Sequence, residues 1–245
     1  QYAINAAEIS VNSEEEQSLL EYQFPENAPC GTYKVIIIGN DINESKDVYY
    51  LSQTELERIV GEFNEIAKKE ANDTNIKAMR EFIEKNYKAL YIELEYYNKL
   101  SDSAKSIVSS LMMSKDSEYA HADIKPEFIK SIATAWVNDG KAIDEIIKAY
   151  PNDIKFDMYE KYGTLKSKTL VDESIKSAKD YDSMVNTFNS MTALSILNEA
   201  APNEVSGVLK AYKQYLISDK AYEYYCQIVG NCLRNITNKY FDSTE

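Results

Sequence analysis

The single histidine of this 245-residue chain, His121, lies in Asp116-Ser117-Glu118-Tyr119-Ala120-His121-Ala122-Asp123, where three carboxylates crowd one imidazole. Carboxylate oxygens suit a hard cation such as Ca²⁺, which makes Asp116, Glu118, His121 and Asp123 the candidate metal ligands. The segment has neither the Gly turn nor the Asp-x-Asp ladder of a calcium loop. The competing reading, a polar linker in which Asp123 caps a helix entered at Pro126, is preferred. No catalytic residue, cofactor or metal is expected there.

Three cysteines, Cys30, Cys226 and Cys232, form an odd set at no metal-binding spacing. Were Cys226 and Cys232 on one helix, their Cα atoms would sit ~9 Å apart, beyond the ~7 Å reach of a disulfide. They read as thiols filling a core. The chain has 20 tyrosines, and the clusters Tyr96-Tyr97, Tyr222 and Tyr224-Tyr225 could stack on sugar rings. Their helical spacing favours burial instead, with hydroxyls reaching solvent or carboxylates. No Gly-rich phosphate loop, Gly-x-Ser-x-Gly elbow or Cys-x-x-Cys occurs. Carboxylate pairs suited to glycoside hydrolysis carry no information in a chain with 40 acidic residues. An enzyme is not expected, and a hydrolase is the least favoured reading.

The charge narrows the partners. Lys and Arg number 27 against those 40 acids, a net charge of −13, which disfavours nucleic acid and anionic membrane surfaces. The longest apolar candidate, Val35-Ile36-Ile37-Ile38, stops at Gly39, far short of the ~18 residues of a membrane span. Beginning at Gln1 with no charged-then-apolar leader, the chain reads as a mature or excised segment. With 44% hydrophobic residues, 7 Gly and 5 Pro, it should pack as long helices broken at few points.

Two grammars run along it. Ile9-Ser10-Val11, then Leu20, Tyr22 and Phe24, then Tyr33, Val35 and Ile37 alternate at period two, which predicts strands. A hairpin-type connection, Pro25 to Gly31, joins the last two. From Ser52 the period becomes helical, with Ser52 and Glu55 matching a capping box ahead of Leu56, Ile59, Val60, Phe63 and Ile66. The spacing predicts helices over 52–69, then 75–99, another after a Ser101 cap, and one from Pro126 to Asn138. Shorter helices are expected at 141–149 and 153–161, and four more near 171–179, 181–199, 202–216 and 219–240.

At an offset of 125 residues the chain also matches itself. Phe63-Asn64 falls on Phe188-Asn189, Lys85 on Lys210, Tyr87-Lys88 on Tyr212-Lys213 and Ile92 on Ile217, six identities over thirty ungapped positions. This predicts two related multi-helix units, 52–113 and 177–240, linked by 114–176. The second copy has a break at Ile217-Ser218-Asp219, so the 75–99 run should break near Ile92-Glu93.

The stretch Leu20-Glu21-Tyr22-Gln23-Phe24-Pro25 followed by Ala28-Pro29-Cys30-Gly31-Thr32-Tyr33-Lys34-Val35 resembles the last two strands of bacterial immunoglobulin-like surface domains. The helical part, with Phe-Asn openings and Tyr-centred helix pairs, looks like the repeats that accompany such domains in clostridial and other Gram-positive surface proteins, some with S-layer-homology anchors. The resemblance implies an extracellular, cell-wall-associated setting and carries over no catalytic residue. The expected fold is mostly α: a bundle or solenoid-like stack in two related halves (48–245) behind a small antiparallel sheet (1–47). The expected role is a non-catalytic spacer or docking module. Its partners would be other domains of the same surface protein, cell-wall polymer or another surface protein. The alternative is a module binding wall glycan, peptide or Ca²⁺.

Overall fold

In the computed structural model the described residues are 24–25, 28–38, 43–113 and 117–216. The fold is mostly α, as expected, with ten helices and a two-stranded antiparallel sheet among those residues. The chain divides into two compact units, 1–56 and 57–245.

In the first unit, β1 (Gly31–Ile38) pairs with β2 (Asn43–Tyr50), with Tyr33 opposite Val48 and Val35 opposite Lys46. This register puts Tyr33, Val35, Ile37, Val48 and Tyr50 on one face. Phe24 covers the near end of that face, stacked 4.4 Å from Tyr50 and edge-on 5.0 Å from Tyr33. Alternation missed β2, because Asn43-Glu44-Ser45-Lys46-Asp47 offers no apolar beat. The expected strands at 9–11 and 20–24 lie outside the described residues, apart from Phe24. After β2, Ser52 caps the next helix as predicted, its Oγ accepting from the Glu55 N–H at 3.3 Å, while the Ser52 N–H donates to the exposed Cys30 thiol at 3.3 Å.

That helix, α1 (Gln53–Ala67), leads into the second unit. There follow α2 (Asp73–Asn86), α3 (Glu95–Asn98), α4 (Asp102–Met112), α5 (His121–Asn138), α6 (Ile143–Ala149), α7 (Tyr159–Tyr162), α8 (Lys168–Ile175), α9 (Tyr181–Glu199) and α10 (Val205–Tyr212). Ser101 caps α4 as its position predicted, its Oγ 3.3 Å from the Ala104 N–H. Helix α5 lies at the centre, packed on α4, α6 and α9, and Ser131 through Val137 are buried without interruption. The small residues in Ser-Ile-Ala-Thr-Ala-Trp-Val allow neighbours to approach on every side, so these two turns have no polar stripe.

Two helix expectations need correction. Pro126 does not open α5; it sits inside a helix that begins at His121. The first four N–H groups of a helix have no internal partner, but Pro126 is the sixth residue, so its missing N–H removes one ladder bond. The helix expected at 153–161 is only α7, because Ile154 and Phe156 are buried in non-helical chain, where periodicity is not the relevant signal.

The 75–99 run does break, and the break carries the one non-glycine residue with positive φ among the described residues, Tyr91 at φ 53°. The Tyr91 N–H bonds the Lys88 carbonyl at 3.2 Å and the Ile92 N–H bonds the Tyr87 carbonyl at 3.0 Å, the paired bonds of a Schellman motif. Helix α5 ends the same way at Gly140, φ 74°, with Gly140 N–H to Val137 and Lys141 N–H to Trp136. A tyrosine therefore occupies a backbone position that glycine fills in the sister motif. Because Y91A and Y91G lose the same ring, the Gly variant should be the more stable by about 1 kcal/mol, and G140A should lose a similar amount relative to wild type. Urea melts of the three variants test this; equal stability of Y91A and Y91G would contradict the strain.

The ungapped 125-residue offset has partial counterparts. Phe63 and Phe188 are both fully buried, Asn64 and Asn189 both nearly so, and α2 and α10 end within one aligned position of each other. Between those points the registers part: α9 runs to Glu199, where α1 stops at Ala67, so the following turn comes later. Residues 219–240 of the second copy lie outside the described residues. Within α9, the fully buried Thr192 hydroxyl has no hydrogen-bond partner among the described residues. T192V removes that unsatisfied group at nearly constant volume and should raise stability by about 1 kcal/mol, read as an upward shift in thermal midpoint; a fall would mean the hydroxyl is satisfied.

Candidate functional site

The 117–123 segment is held from below by the Phe63-Asn64 pair of α1. The Asn64 amide donates to the Tyr119 carbonyl at 3.0 Å, and the Tyr119 N–H donates back to Asn64 Oδ1 at 2.8 Å. The Tyr119 ring meets Phe63 edge-on at 5.3 Å, and its hydroxyl donates to the Met112 carbonyl at 3.1 Å.

With its backbone so pinned, the segment sends its polar side chains to separate partners. Glu118 pairs with Lys68 at 2.7 Å on the surface, and the ammonium beside it holds the carboxyl below its usual range. Asp123 accepts the Ala120 N–H at 3.3 Å. It therefore does not precede a helix entered at Pro126, as expected, but sits in the first turn of a helix starting at His121 and holds the N–H of the residue before it. His121 Nε2 lies 3.1 Å from the Ala89 carbonyl, and its ring meets Tyr91 edge-on at 5.0 Å. A carbonyl only accepts, so in this contact Nε2 is the donor, which occupies that nitrogen. Asp116 lies outside the described residues, and among the described ones no three of His, Cys, Asp and Glu gather closely enough to hold an ion. Cys226, Cys232, Tyr222, Tyr224 and Tyr225 also lie outside the described residues.

Just beyond Tyr91 the chain forms a feature that spacing did not reveal. A cleft of about 120 Å³ opens between the Ile92-Glu93 loop, one face of α5 and the end of α6. Its floor is Ile92, Phe128 and Ile129, all buried. Tyr150 forms one wall, and the exposed Glu93, Asp153 and Lys125 stand around the rim. The Tyr150 turn is fixed by Ile154 N–H and Asp153 N–H bonds to its carbonyl, at 2.8 and 3.1 Å. Burial, and then the Glu93 carboxylate, push the Tyr150 phenol up to about 12. Tyr96 stacks edge-on 5.5 Å behind it, under the Lys99 ammonium at 4.1 Å. Glu93 and Asp153 are sixty residues apart on two loops, so no local motif joins them. Their meeting depends on the Tyr91 break and the Tyr150-Pro151 stop.

Other tyrosines act as inward struts. Tyr97 donates to Glu84 at 3.1 Å, Tyr159 to Asp144 at 2.6 Å, and Tyr162 to Asp172. Of the clustered tyrosines among the described residues, Tyr97 is buried and Tyr96 half-buried. Burial first, then the Asp144 carboxylate, pushes Tyr159 to about 12, and burial and Asp172 push Tyr162 higher still. Raised phenol pKa values favour the fold while the phenols are neutral: the contribution is complete below about pH 10 and is lost as pH climbs through 12. Alkaline unfolding, followed by emission of the lone tryptophan, should therefore coincide with a late rise in tyrosinate absorbance. Full tyrosinate formation near pH 10 with unchanged emission would refute it.

No protein-family model, curated protein or solved structure matches this chain. No helix among the described residues is long and apolar enough to cross a membrane.

Proposed function

We propose that the chain is a non-catalytic structural and interaction module of an extracellular bacterial surface protein, serving as a stiff spacer or docking surface. The observation that carries the mechanical half is the cross-bracing of the helical unit by polar groups between elements. Asp139, at the end of α5, accepts both the N–H and the hydroxyl of Ser101, the cap of α4. Glu199, at the end of α9, accepts the Ser167 N–H at 2.9 Å, the Ser167 hydroxyl at 2.7 Å and the Lys166 N–H at 3.2 Å, at the start of α8. With the tyrosine struts, these tie successive helices by directional bonds as well as apolar packing, which favours one arrangement over many.

The surface setting rests on the resemblance carried by residues 20–35. The −13 charge suits an exterior that stays solvated among wall polymers. Its partners in this reading are neighbouring domains of the same protein, cell-wall polymer or a second surface protein. Spin labels introduced as unnatural amino acids at the exposed Lys77 and Lys176 test the stiffness. A single narrow distance distribution supports the spacer, and a broad or bimodal one counts against it. Fractionation of the parent organism with an antibody to this chain tests the setting; recovery in the cytosol would refute it.

The cleft beside Tyr150 favours a second reading, a ligand-binding module for a peptide or glycan.

A further inference from the structure

The three charged residues at the rim of the Tyr150 cleft share one opening yet stay apart. Neither Glu93 nor Asp153 lies within 4.0 Å of Lys125, and none of the three has an ion-pair partner among the described residues. Two anions and one cation facing an apolar floor complement a ligand that is itself apolar in the middle and dipolar at its ends.

Size bounds what can enter. A cavity of about 150 Å³ is what benzene occupies in a protein interior. At about 120 Å³ the open cleft has room for one small side chain, and its apolar floor under a charged rim suits an alkyl chain with a charged end. Long amino side chains lay their methylenes on apolar surface while the charged head stays among polar groups. An aromatic wall such as Tyr150 adds attraction for a cation.

We propose that this cleft binds the side chain of a lysine-type residue in a peptide. Its methylenes would lie on Ile92, Phe128 and Ile129, its ammonium between Glu93 and Asp153, and a carbonyl or carboxylate of the peptide at Lys125. This rests on the docking half of the function proposed above and names the chemistry of what docks.

The test uses the full ¹⁵N-labelled chain titrated with three probes: N-acetyl-lysine N-methylamide, the norleucine compound, which keeps the four side-chain carbons but lacks the amine, and N-acetylglucosamine. The lysine probe should move the amides of Ile92, Glu93, Ala149, Tyr150 and Asp153. Norleucine should bind about tenfold more weakly or worse, and the E93Q/D153N double variant should lose the lysine probe by about the same factor. Both rim residues are exposed, so an unchanged thermal midpoint verifies that the double variant is folded. Equal binding of norleucine, full affinity of the double variant, shifts with the sugar alone, or no shift with any probe up to about 50 mM would each overturn the proposal. The distance measurement between Lys77 and Lys176 is independent of these titrations, so loss of the ligand leaves the spacer reading to stand or fall by itself.

Discussion

Replacing Phe188 by alanine is expected to destabilise the helical unit by about 3–5 kcal/mol, the range for emptying a large aromatic site in a core that collapses only in part. Phe188 is fully buried and lies 4.7 Å from Phe156 and 4.8 Å from Tyr162, ring to ring. Those neighbours come from the non-helical chain before α7 and from α7 itself, a four-residue helix too short to hold its place by local bonds alone. Removing Phe188 therefore leaves a void and also releases the segment that orients Tyr162 toward Asp172. Phe188→Leu keeps most of the volume and should cost much less. Urea unfolding read by Trp136 emission measures both, since Trp136 is the lone tryptophan and is 2% exposed. A loss below about 1 kcal/mol for the alanine variant would mean that this aromatic cluster is not packed as described.

The parts of the fold readable in the sequence were those where a local signal and the tertiary demand coincide. Ser52 and Ser101 cap helices because a hydroxyl before an apolar period satisfies backbone donors wherever the helix ends up. Helix α9 spans 181–199 as its periodicity predicted, opened by Asp180 accepting the Ser183 N–H at 2.7 Å. The sequence misled where tertiary contacts override local preference. Pro126 is tolerated inside α5 because that helix is buried all along its later turns. Tyr91 takes a glycine conformation, so composition could not mark the break that follows α2.

The candidate site shows the same divide. His121 and its acidic neighbours stood out because rare residues cluster in sequence, yet their side chains serve Lys68, Ala120 and Ala89 separately. The cleft was invisible because Glu93, Lys125, Tyr150 and Asp153 are ordinary residues that only two chain breaks and one helix face bring together. Phe-Asn was legible as a repeated motif, but nothing in its spacing indicated that its asparagine serves as a backbone clamp.

That clamp supplies the second large effect. In Asn64→Ala the buried Tyr119 N–H and carbonyl lose their partners together, since one amide serves both at 2.8 and 3.0 Å. Each unsatisfied buried group costs about 1–3 kcal/mol, so the variant should lose about 3 kcal/mol. Asn189, by contrast, makes a single side-chain bond among the described residues, accepting the Met158 N–H at 3.1 Å, and Asn189→Ala should lose about half as much. Asn64→Asp separates the two bonds. Its carboxylate can still accept from Tyr119 N–H but faces the Tyr119 carbonyl with a second acceptor, whereas the protonated acid can donate to that carbonyl as the amide does. The buried site favours the neutral acid, so the folded-state pKa of the introduced carboxyl should exceed its unfolded value of about 3.9. The compensation is then complete at low pH and lost as pH rises through that raised pKa. Melts of the Asp and Ala variants across pH 3–7 should therefore show the Asp protein gaining on the Ala protein as pH falls, and parallel curves would mean that the amide does not donate to Tyr119.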